Sequence, residues 1–465
     1  MGKKKKTRQD VSFHDNIRHL VHARRLRNQD RKLYEKNFRN YKCLFYNIKE
    51  VIPTTKVHAG DIRITLAHDC PNIEHQIITL RDLTQMTTKD FYKRRRITQE
   101  LLNCLLSHHG VIYEGLIFGS STNGLGFVDS DVDLRLRPLQ HRDDNFLEPI
   151  EFDRPKAEEV LRNIAYQTTR CSPAAGTFVP SRRCPIAKLM FLSGNPGDIL
   201  SYEEAIHVDI SLLSANALGS FNSVYVRFLC HLEPKFHLLA SALRYWSKCH
   251  DLIQPGNLSS YALVNMLIFF CHNLTPPLLP TVDEMRDIYL QKRSNTENSN
   301  DKEKRALTRQ EWLCMICLDK DAYKPSENKS PLSLLLLQFF EFYLNFPYSG
   351  QTIMITRNGS AISYEEFKKS SLYDHDFKLK PYLNIQDPFD MKHNLTSGIE
   401  GPFFSKLIAK IRHSYEKLFK ELLTNFKQPE EISEIPKIAS ANNNCVKPKE
   451  TSKDLRDWGL NAIFC

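Results

Sequence analysis

The segment GSSTNGLGFVDSDVDL, residues 119–134, sets a Gly-Ser turn ten residues ahead of two carboxylates spaced i, i+2. A strand turns successive side chains to opposite faces, so Asp131 and Asp133 point the same way if 131–138 is extended. Two carboxylates on one edge can share a pair of Mg²⁺ ions, which clamp the attacking and leaving oxygens of an in-line displacement. Upstream, 111–118 is an apolar run ending in Gly119-Ser120-Ser121, where a strand is expected to hand over to a helix. Backbone N–H groups at such a helix start, with the Ser120 hydroxyl, would hold a triphosphate.

Neither half of the pattern is specific alone. Asp-x-Asp pairs are common on solvated edge strands, and Gly-Ser-Ser turns are common everywhere; their order and separation carry the signal. A third acidic strand adds to it, because HVDISLL at 207–213 is β-branched and apolar around one carboxylate, Asp209. A carboxylate inside such a strand is costly unless a cation or a metal meets it.

The block resembles the polymerase-β-like nucleotidyltransferases, in the branch of the terminal uridylyltransferases and divergent poly(A) polymerases. There the pattern is Gly-Ser, then Asp-x-Asp, then a third Asp on a later strand. The resemblance implies that Asp131, Asp133 and Asp209 are catalytic and hold two Mg²⁺ or Mn²⁺ ions, with Gly119 and Ser120 at the nucleotide. Asp129 shares the parity of the pair, and spacing alone leaves it open; the family pattern places the catalytic carboxylates at the two positions that match Asp131 and Asp133.

The same resemblance, covering about 87–423, supplies a nucleotide site. Asn216 and Ser223, in SANALGSFNS, fall where relatives touch ribose and base. In LASALRYWSKCH, Arg244 and Lys248 are i, i+4 on a helix and share a face, where two cations would neutralise β- and γ-phosphates; an ordinary surface pair is the bland reading. Ser260 and Tyr261 open an apolar helix, and relatives use this Ser for a phosphate and this Tyr to stack on the base. Finally, LNIQDPFDMKHNL at 383–395 resembles the uridylyltransferase loop in which a histidine sits beside the base edge. His393 is that histidine, Asp387 would orient it or the base, and Asp390 is a weaker candidate. The implied reaction is attack of an RNA 3′-hydroxyl on the α-phosphate of a nucleoside triphosphate, UTP in preference to ATP, without a template. A poly(A) polymerase using ATP, including one of mitochondrial type, is the nearest alternative. Nucleotide transfer to a protein or small molecule, and a catalytically silent nucleotide-binding scaffold, lie further off.

Composition agrees with an enzyme acting on a polyanion. The 465 residues are 41% hydrophobic and carry a formal net charge of +10, enough for two or three domains with real cores. Twelve cysteines show no disulfide framework, which favours a reducing compartment. Cys314 and Cys317 form a C-x-x-C without a second pair, and the Cys-His dipeptides at 230, 249 and 271 read as core and helix-surface residues. No stretch suits a membrane span, and the first 40 residues lack the apolar core of a secretory signal. Nucleus or cytoplasm is the expected location, with the mitochondrion as alternative; Asp10, Asp15 and Asp30 speak against a presequence.

The expected fold class is α/β (α+β): a nucleotidyltransferase domain with a mixed sheet at 107–222, and a mostly helical, poly(A) polymerase-associated central domain built from 87–106 and 223–426, with a cleft between them. Residues 1–40 form a basic arm, 41–86 an unassigned β-containing block, and 427–465 a largely disordered tail. No RNA-recognition module is visible, so RNA choice rests on core grooves, the arm, the unassigned block or a protein partner.

Overall fold

The computed structural model describes residues 66, 72–109, 111–141, 147–167, 175–181, 184–191, 206–212, 217–254, 256–293, 312, 315–316, 322–356 and 359–425. The basic arm, the tail and the C-x-x-C pair lie outside them. Two compact units emerge: 92–117 with 133–216, and 52–91 with 118–132 and 217 onward.

The first unit is a mixed α/β layer. Its sheet runs β1 (Ile112–Phe118), β2 (Val132–His141), β6 (Ile206–Ser211), β5 (Ile186–Phe191) and β4 (Ala175–Val179) in spatial order, with β3 (Leu147–Pro149) on β2. Alternation in β2 is strict: Val132, Leu134 and Leu136 are fully buried while Asp133, Arg135 and Arg137 face the other side. Helix α3 (Arg154–Gln167) begins with Asp153 Oδ1 accepting the Lys156 N–H at 3.0 Å. Ala157, Leu161 and Ile164 bury its apolar face. Helix α2 (Thr88–His109), expected with the second domain, clusters from Tyr92 onward with this sheet. The reason is local: a side-chain carbon at Gly115 of β1 would stand 3.1 Å from Leu102 of α2. Strands β3 and β4 carry little apolar alternation and were not legible in the sequence.

The second unit is helical. It holds α1 (Ile73–Thr84), α4 (Ala217–Leu232), α5 (Pro234–Cys249), α6 (Ser260–His272), α7 (Val282–Arg293), α8 (Leu332–Asn345), α9 (Tyr364–Lys369) and α10 (Gly401–Asn425). The hairpin β7 (Gln351–Met354) with β8 (Ser360–Ser363) precedes α9. Helix α6 is buried nearly all round, from Ala262 to His272, which explains its uninterrupted apolar sequence. Glu74 ties α1 to α8, accepting the Leu332 and Ser333 N–H groups at 3.0 and 2.7 Å and so capping α8, whose Pro331 offers no side-chain acceptor. In the block 41–86, expected to contain β-structure, the described residues include helix α1 and Leu66, which is helical and fully buried in this core. None of the described helices is long and apolar enough to cross a membrane.

Candidate active site

The Gly-Ser turn is a three-residue 3₁₀ turn, Gly119–Ser121, and not the start of an α-helix. Gly119 has φ +66°, a left-handed conformation that glycine adopts without a Cβ penalty. Its N–H donates to Ser223 Oγ at 2.7 Å, and that hydroxyl donates in turn to the Gly219 carbonyl at 2.6 Å. The Gly119 N–H is engaged by Ser223, and buried Ser223 braces the turn from α4 rather than presenting an unused hydroxyl. Ser120 is half-buried, and Ser121 Oγ donates to the Asp131 carbonyl at 3.3 Å.

The rest of the loop is pinned from the segment 84–86, which the sequence left without a role. Val128 N–H donates to Thr84 O, Met86 N–H to Gly126 O, and Gln85 Nε2 to Gly124 O, all at 2.7–3.1 Å. Gly126 is required here because a Cβ would lie 2.5 Å from the Ser120 carbonyl oxygen. Arg227 Nη1 and His237 Nε2 reach the Thr122 and Gly124 carbonyls from α4 and α5.

This loop delivers Asp131, exposed, to the residue just before β2, and Asp133 follows half-buried within β2. Asp209 stands on β6, the neighbour of β2 in the sheet. Its carboxylate is 18% exposed: Oδ2 pairs with Lys188 Nζ at 3.0 Å, while Oδ1 is buried and accepts no hydrogen bond. Lys188 is Asp209's direct partner in the β5–β6 ladder, a pairing that needs the register and could not be read from sequence. Among the described residues no three His, Cys, Asp or Glu side chains are grouped to hold a metal ion. The donor chemistry nevertheless fits one: hard carboxylate oxygens, one of them a buried acceptor with nothing to accept, suit Mg²⁺ or Mn²⁺.

The expected nucleotide residues fall on the helical unit. Arg244 and Lys248 share a face of α5, as their spacing predicts, and both stand over the Phe127 ring, 4.8 and 5.9 Å from its centroid. They are not equivalent, however. Arg244 is buried, whereas Lys248 is exposed and paired with Asp129. Asp129 therefore has a partner of its own, which sequence parity did not reveal. Ser259 caps α6 by accepting the Ala262 N–H at 3.0 Å, which leaves Ser260 as the first helical residue, half-buried. Next to it Tyr261 is partly buried, and its hydroxyl oxygen is shielded without a hydrogen-bond partner. Burial, then the nearby Asp387 charge, pushes this phenol well above its usual range.

The loop at 387–393 closes on itself. Asp387 N–H donates to the His393 carbonyl, and His393 N–H to the Asp390 carbonyl, at 2.9 and 2.8 Å. Asp387 is 3% exposed; its Oδ1 accepts the Phe389 N–H at 3.0 Å and its Oδ2 meets His393 Nδ1 at 3.1 Å. An ionised carboxylate only accepts, so Nδ1 carries the hydrogen and, in a neutral ring, Nε2 is left as an acceptor. Phe389 locks the loop against Trp312, Tyr225 and Phe221, at centroid distances of 4.6, 5.8 and 6.4 Å. Asp390 Oδ1 accepts the Lys392 N–H at 3.3 Å. Asn216 lies outside the described residues.

Two family models match the chain: the central palm domain of mitochondrial-like poly(A) RNA polymerase over 73–227, and the Cid1 family poly(A) polymerase domain over 331–393. A speckle-targeted PIP5K1A-regulated poly(A) polymerase from Bos taurus is 31% identical over 222 residues, 48% of this chain and 22% of that protein. The mitochondrial poly(A) RNA polymerase of Mus musculus is 24% identical over 361 residues, 74% of this chain and 55% of that protein. The chain thus spans about a fifth to a half of the length of these relatives. The fold matches mtPAP in complex with UTP at TM-score 0.62 and 21% identity, over 89% of this chain and 76% of that one. It matches the Cid1 poly(U) polymerase with MgGTP at TM-score 0.54 and 20% identity, over 74% and 94%. The family models thus cover two separate parts of the chain, and its fold is that of mtPAP and the Cid1 poly(U) polymerase, as the resemblance to polymerase-β-like nucleotidyltransferases implies.

Proposed function

We propose that the chain is a template-independent RNA 3′-terminal nucleotidyltransferase that transfers UMP from UTP and releases pyrophosphate. The observation that carries the chemistry is the Asp209 oxygen, buried without a partner on the strand beside that of Asp133. Asp131, Asp133 and Asp209 would hold the divalent ions, which when bound lower the pKa of the attacking 3′-hydroxyl and stabilise charge on the leaving pyrophosphate. Lys248, exposed beside Asp129, would meet the triphosphate, while buried Arg244 supports the Phe127 ring beneath it. Tyr261 would supply the stacking face for the base, and Asn216 and Ser223 would lie near the ribose.

The uridylyl reading rests on His393. A ring held at Nδ1 by a buried carboxylate is a fixed reader of a base edge and leaves less room for a purine. The Cid1 poly(U) polymerase has been solved, in work on its UTP selectivity, as a histidine-to-asparagine mutant bound to MgATP, which favours a histidine for that choice here. Adenylyl transfer is the second reading, favoured by the poly(A) polymerase names of the relatives and the ATPγS complex of mtPAP. Those relatives are also named for nuclear speckles and for mitochondria, so either location fits.

The test compares the intact chain with Asp133→Asn on a labelled RNA with Mg²⁺ or Mn²⁺. Incorporation that needs the metal and falls at least about 10³-fold in the variant is expected. Undiminished incorporation by Asp133→Asn, or labelling that does not need RNA, would overturn the reading.

A further inference from the structure

Helix α10, Gly401–Asn425, carries a feature that neither its stability nor the site above explains. Lys406, Lys410, His413, Lys417 and Lys420 follow one another at spacings of four, three, four and three. At 3.6 residues per turn, these positions fall within about 80° of one another around the helix. Opposite spacing brings Leu407, Ile411, Ser414, Leu418 and Leu422 inward, all buried, so the basic row flanks the core-facing stripe, with Lys406 and Lys420 exposed and Lys410, His413 and Lys417 half-buried.

Little in the fold neutralises that row. Lys406 Nζ donates to the Asp251 carbonyl at 3.1 Å, a neutral acceptor. Among the described residues no carboxylate forms a salt bridge with Lys410, Lys417 or Lys420, although Glu416, which favours the charged form of His413, stands four residues before Lys420, and buried Glu421 four residues after Lys417. The imidazole of His413 is held below its usual range by partial burial, then by Lys417 and Lys410. Like charges at i, i+4 cost a few tenths of a kcal/mol each in a helix. The helix dipole offsets this only within the last turn, which Lys406, Lys410 and Lys417 do not reach.

From Lys406 to Lys420 the row rises about 21 Å, the reach of three or four phosphates of an extended single strand. We propose that this face of α10 is a track for the backbone of single-stranded RNA, engaging phosphates of the substrate away from its reacting 3′ end. Proposing RNA as the polyanion rests on the function proposed above; the row itself stands on its geometry. Four of its five members are lysines, so its contribution is mainly electrostatic and independent of sequence.

The test measures binding rather than transfer. Fluorescence anisotropy would follow the full chain and Lys410→Glu/Lys417→Glu/Lys420→Glu on 4-nucleotide and 20-nucleotide RNAs across a series of KCl concentrations. Removing three phosphate contacts should lower the slope of log K against log salt by about 2 and weaken the longer RNA at least about tenfold, with less than about twofold change for the shorter. The triple Lys→Arg variant, which keeps the charges, should bind like the parent and guards against a folding artefact. Equal loss on both RNAs, an unchanged salt slope, no RNA binding by the parent, or loss of binding only to phosphatidylserine vesicles would each overturn the proposal. The Asp133→Asn comparison is independent, so the track can fail while nucleotidyl transfer stands, and the reverse.

Discussion

Replacing Asp387 by Asn tests the proposal that the loop reads a base. The carboxylate is 3% exposed and fixes His393 through a 3.1 Å contact to Nδ1 while accepting the Phe389 N–H at 3.0 Å. Asn keeps the shape and can keep the bond to Phe389 through its oxygen. Its amide NH₂, now facing the ring, can only donate, so His393 must either turn its Nδ1 into an acceptor or lose the contact. The first choice moves the hydrogen to Nε2 and reverses what the ring offers a base; the second frees the ring. A hydrogen bond to a charged group contributes about 1.5–3 kcal/mol, so the UTP-to-ATP ratio of kcat/KM should fall by about 10- to 100-fold. Thermal unfolding should shift by no more than a few degrees, because packing is conserved. His393→Ala should move the ratio in the same direction by enlarging the pocket. Steady-state incorporation with each nucleotide separately reads the ratio. An unchanged ratio in both variants, whatever the fall in overall rate, would refute the assignment of base choice to this pair.

Further outcomes are expected elsewhere. Asp209→Asn should abolish transfer yet leave folding intact, because its partner Lys188 is 48% exposed and such a pair contributes only about 0–1 kcal/mol; circular dichroism melting and extension assays check both halves. Asp129→Asn releases Lys248 from a pair that is 56% exposed on both sides, so KM for the nucleoside triphosphate should fall by up to about fivefold, whereas Lys248→Met should raise it. Glu74→Ala uncaps α8 and should cost about 1 kcal/mol, seen as a lower urea midpoint with unchanged slope. Burial pushes the His272 pKa down to about 4. An unfolded chain binds that proton near pH 6.5 and the folded one does not, so this site's contribution is complete above about 6.5 and lost as pH falls toward 4. His272→Leu should flatten that part of the stability profile, and an unaltered profile would remove His272 as its source.

What the sequence disclosed, and what it did not, follows from the range of the interactions. Strands β1, β2 and β6 were readable because a half-buried strand writes its apolar and alternating side chains into consecutive residues. Carboxylate spacing in 129–133 was visible for the same reason. Lys188 opposite Asp209 was not, since a cross-strand partner depends on register. Likewise, nothing local in 84–86 says that it clamps the loop at 124–128, and nothing local in Ser223 says that its hydroxyl is taken by Gly119. The helix expected after Gly119 gave way to a 3₁₀ turn because the run 122–131 must return to the sheet as β2 instead of continuing as a helix. Trp312 on Phe389 was hidden most completely, because the tryptophan lies 77 residues before its partner and nothing in its local sequence names that ring.

The central claim is put to its most direct test by incubating the purified chain with a labelled short RNA, Mg²⁺ or Mn²⁺, and each of the four nucleoside triphosphates separately. The account predicts a 3′-extended ladder with UTP far exceeding that with ATP. Preferential extension with ATP would contradict the uridylyl assignment and leave a poly(A) polymerase, and no extension with any nucleotide would contradict the enzyme itself.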